Sequence, residues 1–306
     1  MTFLYPEIEP YKTHKLKVSD LHTIYIEESG NPQGTPLLKI HGPGSKSSAK
    51  RRRLYNPQEY RIIQYDQRGC GQSTPQGEIR ENTTQDLIQD IEKTRKHLIE
   101  KRLIDASWAT LALAYTQDYQ KHVSGLLLRA VFLRKKEQNR LWGDSPLQNI
   151  VPEQRKNYIK NIPEEDKKNP LEYFKKTPRN KISNQNIENL YKREESLLNL
   201  DIPAWPQRKL SESDKLHANI VIHYIKNSFF LSDIQLLQNN ARENIPVSII
   251  QRYDLICPYT SAREVHKTIA DSKIETVTAH YATNDHLIKK IDEEITLLKK
   301  LSHEQL

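Results

Sequence analysis

The stretch that most restricts the fold is a short apolar run, Arg102-Leu103-Ile104, that breaks at Asp105-Ala106-Ser107 into good helix formers from Trp108 to Tyr115. A strand, a sharp turn at a serine and then a helix is the geometry of a nucleophile elbow. The turn holds the serine hydroxyl clear of the backbone. The N–H of the next residue, Trp108, points at the same space and can stabilise an oxyanion. Strand and helix approach closely there, so small residues are needed two before and two after the serine. Ala109 meets that need and Asp105 does not. Alone, the serine also reads as an ordinary helix N-cap. What favours the elbow is that later segments supply an aspartate and then a histidine, in the order that such a sheet requires.

The rest of the chain alternates strand and helix signals. Leu16-Lys17-Val18 and Thr23-Ile24-Tyr25-Ile26 alternate as strands across a turn at Ser19-Asp20. Pro36 to Ile40 is a short apolar strand running into His41-Gly42-Pro43-Gly44. A glycine loop at the end of a core strand suits an oxyanion hole. Gly42 can offer an N–H there, whereas Pro43 has none. Tyr60 to Tyr65 is another strand, ending in Asp66-Gln67-Arg68-Gly69-Cys70-Gly71-Gln72-Ser73. Asn82-Thr83-Thr84 caps a helix from Asp86 to Lys101, and Val123 to Phe132 is a strand region ending near Arg129.

From about Arg134 to Gln238 the composition shifts to Lys, Asn, Glu and Arg broken by prolines, and apolar residues recur at helical spacing. This reads as an inserted helical cap over 134–238, between core segments 1–133 and 239–306. Ile245 to Ile250 is a β-branched core strand, and Asp254 sits just past its end, where a carboxylate that orients a histidine belongs. Lys273 to Thr278 is the last strand. His280 follows it, and a helix runs to Leu301.

Composition narrows the function. The 306 residues suffice for one large core with an insertion. Nine glycines are about 3%, against roughly 7% in an average protein, so tight loops are few. No run of about 18 apolar residues predicts a membrane span. The first ten residues lack the pattern of a secretory signal, so a cytoplasmic location is expected. Cys70 and Cys257 make neither a disulfide framework nor a metal cluster. Net charge is +8, with the densest basic run at Lys50-Arg51-Arg52-Arg53. Acidic residues are interspersed and aromatic–basic alternation is absent. The run therefore reads as solvated surface, with no nucleic-acid partner expected.

Taken together, these segments resemble the proline iminopeptidases, α/β-hydrolases of the prolyl aminopeptidase type, over nearly the whole core. Leu4 to Tyr11 is similar to the family's opening, and Ser29-Gly30-Asn31-Pro32-Gln33-Gly34 to its next turn. Asp66 to Ser73 reads DQRGCGQS, a highly specific family motif, and Asn82-Thr83-Thr84 with Asp86-Leu87 fits the following "NTT.DL". Ser107-Trp108 and Thr110 to Tyr115 fit "GGSWGSTLALAY". Leu126 to Phe132 resembles "LVLRGIF", and Arg252-Tyr253-Asp254 with Cys257-Pro258 resembles "GRYD..CP".

The resemblance implies an α/β-hydrolase fold with a mostly parallel central sheet and an inserted helical cap. It implies Ser107 as nucleophile, Asp254 as the orienting carboxylate and His280 as general base. Gly42 and Trp108 would form the oxyanion hole, and Arg129 and Glu194 would bind substrate. The implied reaction releases N-terminal proline from short peptides through an acyl-enzyme, with no cofactor and no metal.

The chain also departs from the family pattern. "HGGPGGG" is here His41-Gly42-Pro43-Gly44-Ser45-Lys46, and "GGSWGS" is one residue short at Asp105 to Ala109. The glutamate of "IENHYF" falls on Val221. Aligning "GAGHSATEPG" on Ala282-Thr283 puts the base at His280. An ungapped alignment from the preceding strand puts Ala282 there, and His286 is a further candidate. Losing one oxyanion donor costs about 3–4 kcal/mol, or 100- to 1000-fold in rate. Impaired activity, an inactive homologue, and an esterase or amidase of relaxed specificity are the alternatives that follow.

Overall fold

Period-two alternation along the strands gives the sheet two apolar faces. Leu37, Ile62, Leu103, Leu127 and Ile250 pack on one face, and their neighbours Leu38, Ile63, Ile104, Leu128 and Ile249 pack on the other. In the computed structural model the described residues are 3–98, 102–133, 152–198, 205–232, 235–238, 245–252, 256–269, 272–277 and 285–304. They form β1 (Lys12–Lys17), β2 (Thr23–Gly30), β3 (Thr35–Ile40), β4 (Tyr60–Tyr65), β5 (Arg102–Ala106), β6 (Val123–Arg129), β7 (Val247–Arg252) and β8 (Ser272–Val277). The eight strands lie in the order β1-β2-β4-β3-β5-β6-β7-β8. β2 runs antiparallel to both β1 and β4, and every other pair is parallel. This is the mostly parallel α/β sheet that the sequence predicts.

Helices cover both faces. The order in the chain is α1 (Ala49–Arg52), α2 (Thr84–Leu98), α3 (Ala109–Tyr119), α4 (Pro152–Ile159), α5 (Pro170–Lys176), α6 (Asn184–Leu198), α7 (Glu212–Lys226), α8 (Gln235–Gln238), α9 (Tyr259–Thr268) and α10 (Asp285–Glu304). α10 inserts Leu287, Ile288, Ile291, Ile295 and Leu298 into the first face, beside Leu103 and Leu127. α3 lies on the other face and is buried at every position from Ala109 to Thr116. Its apolar character all round therefore marks a central helix. Each fully buried Leu or Ile contributes about 1.5–3 kcal/mol.

The described secondary structure between β6 and β7 is entirely helical. α7 begins with a capping box in which Ser211 and Asp214 satisfy each other's backbone N–H groups. It is fastened to the strand-bearing part through Asn82. The Asn82 amide donates to the carbonyls of Arg68 (3.1 Å) and Glu78 (3.0 Å), and its Oδ1 accepts from the Tyr224 hydroxyl at 2.9 Å.

The DQRGCGQS loop is a structural knot. Asp66 accepts the N–H groups of Ser47 (2.5 Å) and Gln72 (2.8 Å), and Arg68 holds Asp90 through two 2.7 Å bonds. Gly71 has φ +50, and a Cβ there would sit 2.1 Å from the Asp66 carboxylate, so only glycine fits. Burial pushes the Cys70 thiol up to about 12, which leaves it unreactive. No helix among the described residues is long and apolar enough to cross a membrane.

Candidate active site

Ser107 lies between the last residue of β5, Ala106, and the first of α3, Ala109. Its N–H donates to the Ile40 carbonyl at the end of the neighbouring β3 (3.0 Å), and its hydroxyl donates to the same oxygen at 3.2 Å. The strand–serine–helix arrangement is thus formed. The turn is less strained than an elbow demands, since Ser107 is not among the residues with positive φ, whereas Ala130 is (φ 54). Trp108 takes the N-cap position of α3, and its ring meets Tyr224 of α7 edge-on at 5.4 Å.

The loop bearing Gly42 is held by His41. The Gln67 N–H donates to His41 Nε2 (3.1 Å), so the ring proton sits on Nδ1 and donates to the Gly42 carbonyl at 2.7 Å. Burial pushes the imidazole down to about 3, so this neutral tautomer persists at any working pH. Two residues on, Gly44 has φ +71, and a Cβ there would approach the His217 carbonyl to 2.7 Å. The loop therefore lies directly against α7.

Asp105 does not crowd the turn, because alternation sends its side chain to the Leu103 face of the sheet. There it is fully buried and meets Arg129 through two 2.8 Å hydrogen bonds, Lys39 Nζ at 3.2 Å and the Tyr55 hydroxyl. Burial alone would raise the carboxyl. Arg129 and Lys39 outweigh burial and hold it down to about 2. Lys39 is itself pushed far below the usual ammonium range, by burial first and then by Arg129.

Two cavities meet at Ser107. One, about 520 Å³, is lined by Gly42, Trp108, Glu194, Glu195, His217 and Val221, among others. The other, about 330 Å³, is lined by Arg51, Leu54, Arg129, Arg252, Ile250 and Leu287, among others. Ser45, Lys46, Arg51, Ser107 and Ala130 border both. Of the residues singled out in the sequence, Ser107, Gly42, Trp108 and Glu194 share the larger cavity, and Arg129 opens on the smaller one instead. Asp254 and His280 lie outside the described residues, as does Ala282. His286 is exposed on the first turn of α10.

The matches to known proteins agree with this architecture. A family model described as the alpha/beta hydrolase fold matches residues 35–289. A probable proline iminopeptidase of Leptolyngbya boryana is 38% identical, over 90% of each chain. A proline iminopeptidase of Arabidopsis thaliana is also 38% identical, over 90% of this chain and 76% of the other. The chain belongs to the proline iminopeptidase family of α/β-hydrolases. Among solved structures, a proline iminopeptidase-related protein of Thermus thermophilus superposes with a TM-score of 0.62 at 18% identity, over 96% of this chain and 99% of that one. At that identity the superposition speaks for the fold. Membership in the proline iminopeptidase family supports a hydrolase function directed at peptides.

Several pocket residues escape a reading of motifs. His217 lines the larger cavity, stands 3.5 Å from Glu194 and packs edge-on against Tyr191. The available signal was its position one helical turn before Val221 on α7. The run Lys50 to Arg53 is not plain solvated surface. Arg52 is buried against Glu27 (2.9 and 3.0 Å), and Arg51 borders both cavities.

Proposed function

We propose that the protein is a serine aminopeptidase that releases N-terminal proline from short peptides. Ser107 attacks the carbonyl carbon of the proline. His280, oriented by Asp254, takes the hydroxyl proton and passes it to the leaving amine. The N–H groups of Gly42 and Trp108 receive the oxyanion, and water then hydrolyses the prolyl ester. The observation that carries this reading is the place of Ser107, at the end of β5 and on the wall of a cavity that also holds Gly42, Trp108 and Glu194. Residues 134–238 act as the cap over that cavity.

The enzyme is a slow one on this reading. The hydroxyl of Ser107 is engaged with the Ile40 carbonyl and its φ is unlike that of a strained elbow. A misplacement of about 1 Å costs roughly 100-fold. A second reading, an esterase or amidase of relaxed specificity, is favoured by Val221. This apolar residue lines the cavity where the family pattern has a glutamate. Hydrolysis of a chromogenic proline amide, with Ser107→Ala alongside, tests the proposal. Turnover that disappears in the variant supports it. Equal rates in the two proteins overturn it in favour of an inactive homologue, and faster cleavage of acylated or simple esters than of free prolyl amides favours the second reading.

A further inference from the structure

At the β1 edge of the sheet, with three strands between it and β5, two histidines meet. His14 Nδ1 on β1 and His97 Nε2 on α2 stand 3.2 Å apart, with ring centroids separated by 5.1 Å and ring planes at 88°. The other nitrogen of His14, Nε2, lies 2.8 Å from Glu28 Oε1. A carboxylate only accepts, so the His14 proton sits on Nε2 and the lone pair of Nδ1 is directed at His97. Glu28 is buried and accepts from Arg61 Nε at 2.5 Å, and Arg61 also donates to the Leu98 carbonyl at 3.3 Å. One carboxylate therefore orients His14 directly and, through Arg61, fastens the last turn of α2 beside it. Both rings are set from behind.

We propose that His14 and His97 bind a late first-row divalent cation (zinc, nickel or copper) through His14 Nδ1 and His97 Nε2. Two imidazole nitrogens about 2.05 Å from one tetrahedral ion stand about 3.3 Å apart, and the 3.2 Å between these two matches that spacing. Imidazole donors select such ions over magnesium and calcium, which take oxygen ligands. Binding moves the His97 proton from Nε2 to Nδ1, so both lone pairs face the ion and no proton is released. Glu28 is the carboxylate behind a ligating histidine, not a ligand itself. Among the described residues no group of three or more His, Cys, Asp and Glu side chains could hold a metal ion. The site therefore has two protein ligands, and water completes it from the solvent side, where His97 is exposed. β1 is paired on one side only, and the ion would staple this edge strand to a helix residue 83 positions further on. The site is independent of the reaction proposed at Ser107.

Thermal unfolding of the full chain without an affinity tag, stripped with a chelator and then titrated with zinc chloride, tests the site. Zinc at about a hundredfold excess over its dissociation constant is expected to raise the melting temperature by about 4 °C. Magnesium chloride should leave it unchanged. His97→Ala should abolish the zinc shift, and His14→Gln gives the same readout should the first variant fail to fold. Equimolar copper(II) should show coupling to two ring nitrogens by electron paramagnetic resonance in the wild type and to fewer in His97→Ala. A zinc shift of equal size in His97→Ala would place the ion elsewhere among the eleven histidines and overturn the site. No zinc shift, an equal shift with magnesium, or half-saturation only above about 1 mM zinc would overturn it as well.

Discussion

Asp105 and Arg129 meet through two 2.8 Å hydrogen bonds across neighbouring parallel strands, two residues before the candidate nucleophile. The pair converts a position where an elbow prefers a small residue into an anchor. The acidic side chain points away from the turn, and Arg129 is drawn against the sheet. Asp105→Asn would leave Arg129 beside a buried Lys39 without the balancing charge. Breaking one partner of a buried ion pair costs about 3–5 kcal/mol. A loss of that size in urea unfolding is expected, and a change below about 1 kcal/mol would show that the cluster is not needed for folding.

The same carboxyl sets an acid limit. Its folded pKa, about 2, lies below its unfolded value near 3.9. The stability that it supplies is therefore complete above about pH 4 and is lost as pH falls from there through about 2. Unfolding free energy measured between pH 5 and pH 2 should fall more steeply in the wild type than in Asp105→Asn. Parallel slopes would contradict the assignment.

Val221→Glu places a carboxylate on the wall of the larger cavity, one helical turn from His217. A charge-assisted hydrogen bond to the substrate amine is worth about 1.5–3 kcal/mol. KM for free prolyl substrates should drop about tenfold, with kcat changed little. An unchanged KM would mean that this wall does not face the amine.

Gly44→Ala tests how tightly the Gly42 loop is held against α7. The new methyl group meets the His217 backbone within 3 Å while φ stays at +71. Strain and displacement together should cost about 2 kcal/mol. Hydrolysis should slow by tenfold or more, since the same loop carries Gly42. Full activity with unchanged thermal stability would show that the loop has room to yield.

Most of the sheet was legible because its signals are local. Tyr60 to Tyr65 was predicted as a strand with the bounds later observed, and Ile245 to Ile250 differs from β7 by two residues at each end. Both are short, mostly apolar and β-branched or aromatic runs, buried at nearly every position on both faces, which favours a core strand. Ser107 was legible for the same reason, as a serine at the join of a strand and a helix. The surroundings of Asp105 were not, because its partners Arg129 and Lys39 come from neighbouring strands, 24 and 66 positions away, and only sheet register brings them together. The run Lys50 to Arg53 misled in the opposite direction. Four consecutive cations look like surface, yet Glu27 on β2 gives Arg52 a buried partner.

The edge-on contact of Trp108 with Tyr224, and the hydroxyl that ties Tyr224 to Asn82, make the floor and the roof of the site parts of one joint. A roof that swung outward would pull on the peptide that follows Ser107. Beside this joint, the Lys46 ammonium reaches Ser213 of the same helix at 3.5 Å, a second tie between the Gly42 loop and α7. Packing on that helix and order at the turn that carries Ser107 therefore rise and fall together, and a change that loosens Tyr224 is felt at the serine without touching it.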